Sequence, residues 1–308
     1  MIITLGEILG EIMADTPGHG FAEPMALTGP YPSGAPAIYI SQVARMGVAC
    51  GIISAVGADD FGRVNLNRLR ADRVDVSAVQ VDSTRPTGSA FVRYRPDGAR
   101  DFVFNIAHSA CAAIALGAEA EALLVRARHL HVVGSSLAIG SVQAMALAAA
   151  RQVRAQGGTV SFDPNLRKEM LDQPGLRQAV AQMLGLADVF LPSGDEVFLG
   201  SEGRDVATAA AGHLARGVRA VVWKRGAAGA SYFDADGRLD QAGFAVDEVD
   251  PTGAGDCFAG AFTALWCEGV ASDVALRMAA AAGALAVTKR GPMAGAGWRA
   301  EIEALAGG

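Results

Sequence analysis

Cysteine is scarce and unpaired. The 4 cysteines, Cys50, Cys111, Cys257 and Cys267, form no Cys-x-x-Cys pair in 308 residues. This argues against both a disulfide framework and a zinc ribbon, and a chain of this length needs no covalent staples. They read as small buried thiols of a reducing compartment. Long apolar runs are also missing. The Ala-rich stretch Met278 to Val287 falls well short of the ~20 residues a membrane span requires, and Met1 to Glu7 lacks the basic start and cleavage site of a secretory leader. A cytoplasmic protein without a membrane partner is therefore expected. Positive charge is limited too: Lys plus Arg total 26 against 32 Asp plus Glu, for a net charge of -6. Nucleic acid is accordingly excluded as a partner, and an anionic ligand has to be held by local donors rather than by the overall field.

Several catalytic signatures are missing as well. The only lysines are Lys168, Lys224 and Lys289, and none follows a glycine, so there is no Walker A loop. Ser135 and Ser136 lack the Gly-x-Ser-x-Gly elbow of hydrolases, and no histidine precedes a glutamate. His129 and His131 alternate along a run that predicts a strand, without a third ligand nearby. They read as strand residues rather than a metal site.

What the chain does have is a rhythm. Short apolar runs at Ile2 to Leu5, Ala49 to Val56, His129 to Val133, Thr159 to Asp163, Val189 to Pro192 and Ala220 to Lys224 predict strands. Alanine-rich amphipathic segments at 35 to 46, 62 to 71, 118 to 127, 141 to 156, 176 to 186 and 205 to 216 predict helices between them. Strand and helix in alternation imply an α/β protein with a mainly parallel sheet covered on both faces, here as one unit over residues 1–308. Thr87 to Asn105 interrupts the rhythm with a hairpin pattern around Asp97-Gly98.

The most telling stretch is Asp250-Pro251-Thr252-Gly253-Ala254-Gly255-Asp256, which precedes the largely apolar run Cys257 to Cys267. Two glycines there allow positive backbone torsions and close approach of a ligand, and the first amides of the helix that follows lack an intrahelical partner. Such amides form an anion site, and Asp256 places a carboxylate among them. Phe258 stands where a dinucleotide fingerprint needs its third glycine, so the turn is a different kind of phosphate cradle. Asp163, Ser193 with Glu196, Lys224 and the 250s turn each follow a predicted strand, where ligands bind in such sheets.

The seven-residue string resembles the signature of the PfkB, or ribokinase-like, carbohydrate kinase family, and the resemblance runs nearly end to end. Gly34-Ala35-Pro36 with the apolar stretch to Gly47 is similar to the family's first signature. Val56 to Gly62 resembles its G-x-D-x-x-G element. Asp163-Pro164-Asn165-Leu166-Arg167, Leu191-Pro192-Ser193-x-x-Glu196 and Lys224-Arg225-Gly226-Ala227-Ala228-Gly229 follow in order. The resemblance implies a three-layer ribokinase-like sandwich with a small β lid, built here from about 12 to 32 and 87 to 106. It also implies Asp256 as the base for the substrate hydroxyl, with the Gly253, Ala254 and Gly255 amides on the transferred phosphoryl group. ATP would meet Asn165, Ser193, Lys224, Gly226 and Gly229, and Glu196 would organise Mg2+ through water. Glu11, Gly34, Asn105, Arg167 and Asp256 would face the sugar. Asp250 and Thr252 would border a monovalent cation such as K+, and the lid would form a homodimer through apolar residues such as Phe91 and Phe102.

The substrate implied is a six-carbon ketose or keto-sugar acid, of the fructose, tagatose or 2-keto-3-deoxygluconate type. A nucleoside kinase on the same fold and a sugar-binding regulator without turnover are the alternatives. Four positions depart from the common pattern: Glu11 replaces an Asp, Ile38 and Ser193 replace Asn residues, and the lid strand ends Phe104-Asn105-Ile106. Those positions leave the sugar open.

Overall fold

The computed structural model describes residues 1–166 and 172–307; Arg167 lies outside them. Along the chain the elements are β1 (Ile2–Leu5), β2 (Leu9–Ala14), β3 (Leu27–Ser33), α1 (Ala35–Arg45), β4 (Cys50–Gly57), α2 (Asp60–Ala71), β5 (Val79–Asp82), β6 (Gly88–Tyr94) and β7 (Arg100–Asn105). They continue with α3 (Ala118–Arg126), β8 (His129–Val133), α4 (Gly140–Ala155), β9 (Thr159–Asp163), α5 (Leu176–Leu184), β10 (Val189–Phe190), α6 (Val206–Ala215) and β11 (Ala220–Lys224). The last are β12 (Ala230–Asp234), β13 (Gly237–Gln241), α7 (Ala254–Glu268), α8 (Ser272–Ala286) and α9 (Arg299–Gly307).

Two sheets organise the described residues. The larger runs β13-β12-β11-β10-β9-β8-β1-β4-β5, parallel from β11 to β5 and antiparallel at the β11-β12-β13 edge. Alternating side chains send Ile2, Val189, Leu191 and Val222 to one face, where α1, α7, α8 and α9 cover them. Ile3, Phe190 and Val221 go to the other, under α3, α4, α5 and α6. Burial on both faces explains why most positions of these strands are apolar, while the buried polar exceptions Thr4, His129, His131 and Ser161 are hydrogen-bonded within the sheet.

The smaller sheet, β3-β2-β6-β7, is the lid. It begins at Leu9, earlier than the predicted 12, because Leu9 to Ala14 pairs with both β3 and β6. Asp59, the N-cap of α2, anchors the lid to the body: its carboxylate accepts the Gly62 amide at 2.8 Å, the Thr87 amide at 2.8 Å and the Thr87 hydroxyl at 2.7 Å. The G-x-D-x-x-G element thus serves as a joint between α2 and the start of β6.

His129 and His131 are fully within the sheet core. His129 Nε2 and His131 Nδ1 each lie 2.7 Å from Ser161 Oγ, and Tyr39 stacks on His131 with ring centroids 3.7 Å apart. Burial lowers the pKa of His129 to about 3, and burial with His129 as neighbour lowers that of His131 well below the ordinary value. Both are therefore neutral when folded. The unfolded chain takes up their protons below pH ~6.5, so each histidine is expected to cost up to ~1.4 kcal/mol of stability per pH unit below that point, with no effect above it. Urea denaturation at pH 7.5 and 5.5 checks this, and equal midpoints would contradict neutral burial of the pair.

Candidate active site

The carboxyl ends of β1, β8, β9 and β11 converge on the N-terminus of α7. Gly253 caps that helix with φ 83. A Cβ there would collide with the Pro292 carbonyl oxygen, so torsion and space together require glycine. The Ala254 amide makes only a long bond, 3.4 Å, to the Pro251 carbonyl, the Gly255 and Asp256 amides that follow have no carbonyl one turn back within the helix, and the helix dipole adds partial positive charge at the same point. Asp256, in that first turn, is 7% exposed.

This helix end is a wall between two cavities. On one side Ala254 and Gly255 line a pocket of about 560 Å3 that also takes in Ser193, Lys224, Gly226 and Gly229. Phe244, Phe258 and Val287 give it an apolar end suited to an aromatic base. On the other side Thr252, Gly253 and Asp256 line a cavity of about 60 Å3 beneath the lid. Its remaining polar wall comes from Glu7, Glu11, Ser33, Arg100, Ser135 and Asn165, and the lid contributes Phe102 and Phe104 from above. A carboxylate on one side and the helix N-terminal amides at the boundary suit transfer of an anionic group across the wall.

Local structure explains how each side chain arrives. Glu11 is 3% exposed on β2, and its Oε2 accepts the Ser33 hydroxyl at 2.7 Å. Gly34, with φ 106, caps α1 against the Glu7 carbonyl, where a Cβ could not fit. Asn165 has φ 39, an uncommon torsion for a non-glycine residue, and this aims Nδ2 at Asp256 Oδ1, 3.4 Å away. Expected on the nucleotide, Asn165 lines the cavity beneath the lid and not the larger pocket.

Lys224 pairs with Asp163 across the end of the sheet, with 7% and 2% exposure respectively. Its Nζ lies 3.6 Å from the place a Cβ on Gly255 would take, directly beside the anion turn. Glu196 accepts the Ser193 amide on Oε2 and the Leu166 amide on Oε1, both at 2.8 Å. Burial and the neighbouring Asp163 carboxylate raise its pKa. Asp163 Oδ1 is buried without a hydrogen-bond partner among the described residues. An orphaned carboxylate oxygen beside Glu196 fits a hydrated divalent cation bound with a nucleotide.

The monovalent-cation expectation fares differently. Asp250 Oδ1 accepts from the Tyr94 hydroxyl at 2.6 Å and the Thr252 amide at 3.0 Å, and Oδ2 accepts the Gly291 amide at 2.8 Å. The Thr252 hydroxyl lies 2.8 Å from Tyr94 Oη. Donors face these oxygens, so Asp250 and Thr252 do not fit a cation.

Asn105 and Phe102 also differ from expectation, for one reason. β6 and β7 pair Ala90 with Phe104 and Val92 with Phe102, and these residues form the inner face. Asn105 therefore points outward, bonding Ser89 Oγ at 3.2 Å beside a separate open pocket. Phe102 turns toward the acceptor cavity, while Phe91 lies on the outer face against Phe21.

Sequence reasoning missed Glu7, Ser135, Arg100 and Tyr94. Glu7 accepts the Ser135 hydroxyl at 2.9 Å and the Ser136 hydroxyl at 2.5 Å, and Ser135, set aside for lacking a hydrolase elbow, forms part of the cavity wall. The signal for Glu7 was its place just after β1, among the other strand ends.

The chain is similar to known proteins along nearly its whole length. The chain is 33% identical over 296 residues to 2-dehydro-3-deoxygluconokinase of Thermoproteus tenax, covering 94% of this chain and 89% of the relative. It is 30% identical over 304 residues to fructokinase-2 of Zea mays, covering 94% and 89%. A crystal structure of a putative ribokinase II from E. coli, in complex with ATP and Mg2+, is 49% identical, covers 99% of this chain and 98% of its own, and superposes with a TM-score of 0.92. The model of the pfkB family carbohydrate kinases matches residues 2–298. With two cavities meeting at the amides before Asp256, and that match spanning nearly its whole length, the chain belongs to the pfkB family of carbohydrate kinases.

Proposed function

We propose that the protein transfers the γ-phosphoryl group of ATP, with Mg2+, to a primary hydroxyl of a six-carbon ketose or keto-sugar acid. The observation that carries this reading is the wall itself: one helix N-terminus presents Ala254 and Gly255 to the larger pocket and Asp256 to the lid cavity. Phosphoryl transfer needs little covalent help from the protein, chiefly positioning and charge neutralisation.

In this scheme the Asp256 carboxylate accepts the hydroxyl proton as the sugar oxygen attacks. The Gly253 to Gly255 amides receive the charge developing on the transferred group, with Lys224 beside them. Glu196 and Asp163 would hold the magnesium, which would supply positive charge against the phosphates of the nucleotide. Asn165 orients Asp256, and Glu7, Glu11 and Ser135 offer acceptors and donors to sugar hydroxyls. Phe102 and Phe104 close the cavity against water, whose entry would divert the phosphoryl group to hydrolysis.

Release of ADP is expected with at least one of fructose, tagatose and 2-keto-3-deoxygluconate, and far more slowly with ribose or adenosine. Sugar binding without ADP release from any of them would refute the kinase reading and favour a regulator.

A further inference from the structure

Tyr94 takes no part in the reaction just described, yet it is the lid's hydrogen-bonded link to the phosphate turn. It ends β6 on the inner face of the lid, paired with Arg100, which lines the acceptor cavity. Its hydroxyl donates to Asp250 Oδ1 at 2.6 Å, and the Thr252 hydroxyl, 2.8 Å away, donates to it in turn. Burial and the adjacent carboxylate push the phenol pKa up, so the proton stays in that bond.

Asp250 is the pivot of the turn. It is 2% exposed, and its carboxylate gathers the Thr252 amide from the turn and the Gly291 amide from the segment behind it. Thr252 leads directly into Gly253, whose fit against Pro292 aims the amides of α7. The path from lid to phosphoryl cradle is therefore Tyr94, Asp250 and Thr252, then Gly253. A charge-assisted hydrogen bond of this length is among the stronger polar contacts available to a protein.

We propose that Tyr94 is a positioning residue, whose hydroxyl ties the lid to the anion turn and orders that turn without a monovalent cation. The proposal rests on the kinase reading for its kinetic consequence but not for its structural one. The bond supplies one of the three donors that hold the Asp250 carboxylate, and hence the cradle, in its working geometry.

The test compares the full-length protein with Tyr94→Phe, which removes one oxygen and keeps the ring. Wild-type kcat is expected to stay within about twofold when KCl is replaced by tetramethylammonium chloride. Tyr94→Phe is expected to lose about 10-fold in kcat, the effect of one charge-assisted hydrogen bond, with KM for ATP and the melting temperature nearly unchanged. Amide hydrogen exchange across residues 250–256 should quicken in the variant and not elsewhere in the body. Strong activation of the wild type by K+, or a variant with wild-type kcat, would overturn the proposal. So would unchanged exchange at 250–256, which decides the matter even if the wild type phosphorylates no sugar and the kinase reading itself fails.

Discussion

Replacing Asp256 by Asn is expected to lower kcat by ~10²- to 10⁴-fold, the usual range for removing a general base, with little change in melting temperature or in KM for either substrate. The amide has almost the shape of the carboxylate, so the 7%-exposed site stays filled. The Asn165 contact, at 3.4 Å in the native protein, can be retained by the amide oxygen. Loss of a charge from the first turn of α7 costs the helix only ~0.3 to 1 kcal/mol. The substitution therefore isolates the proton acceptor from the fold. Burst and steady-state measurements of ADP formation report the loss, and calorimetric binding of ADP shows whether the larger pocket is intact. A variant retaining near-native turnover would remove Asp256 from the role of base and leave the amides of the turn as the whole of the cradle.

Much of this fold is written locally. β1, β8, β9 and β11 coincide with the predicted runs because a strand buried on both faces is mostly apolar, and the polar members of these strands, such as His131 and Ser161, bond one another. β10 stops at Phe190 rather than Pro192, since proline has no amide to give a neighbouring strand. The Asp250 to Asp256 turn was legible for a similar reason: its glycines answer a local torsional demand that the sequence states directly.

The acceptor cavity was less legible, because its walls are set by pairing over long separations. Whether Phe104 or Asn105 faces the lid cavity depends on the β6 to β7 register, and a slip of one residue would exchange them. Glu7 meets Ser135 only because β1 and β8 lie side by side in the sheet, 128 positions apart in sequence at that bond. Asn165 faces Asp256 through a positive φ that no neighbouring residue announces. Tyr94 shows the same limit, since its partner Asp250 is 156 positions away.

The largest effect on stability is expected from Lys224→Met. Lys224 and Asp163 are both nearly out of contact with water, at 7% and 2% exposure, and Asp163 already has one oxygen without a hydrogen bond among the described residues. Removing one member of a buried ion pair leaves the other charge uncompensated, at a cost of ~3 to 5 kcal/mol. Glu196, whose pKa is raised by burial and by Asp163, adds a second carboxylate to the unbalanced site. The penalty should have a definite pH dependence. Lys224 is the positive charge that opposes the raised pKa of Glu196, so without it that pKa rises further above the unfolded value, the folded protein binds more protons and the deficit shrinks as pH falls from 7 toward 5. The double variant Lys224→Met with Asp163→Asn, which removes both charges, should recover most of the lost stability in urea denaturation. It should not recover turnover, because Lys224 Nζ is the cation beside Gly255 and Asp163 carries an oxygen suited to the metal. A single variant costing under ~1 kcal/mol, below the range for a broken buried pair, would show that water reaches the pair. A double variant that regained both stability and rate would show that the pair serves the fold alone.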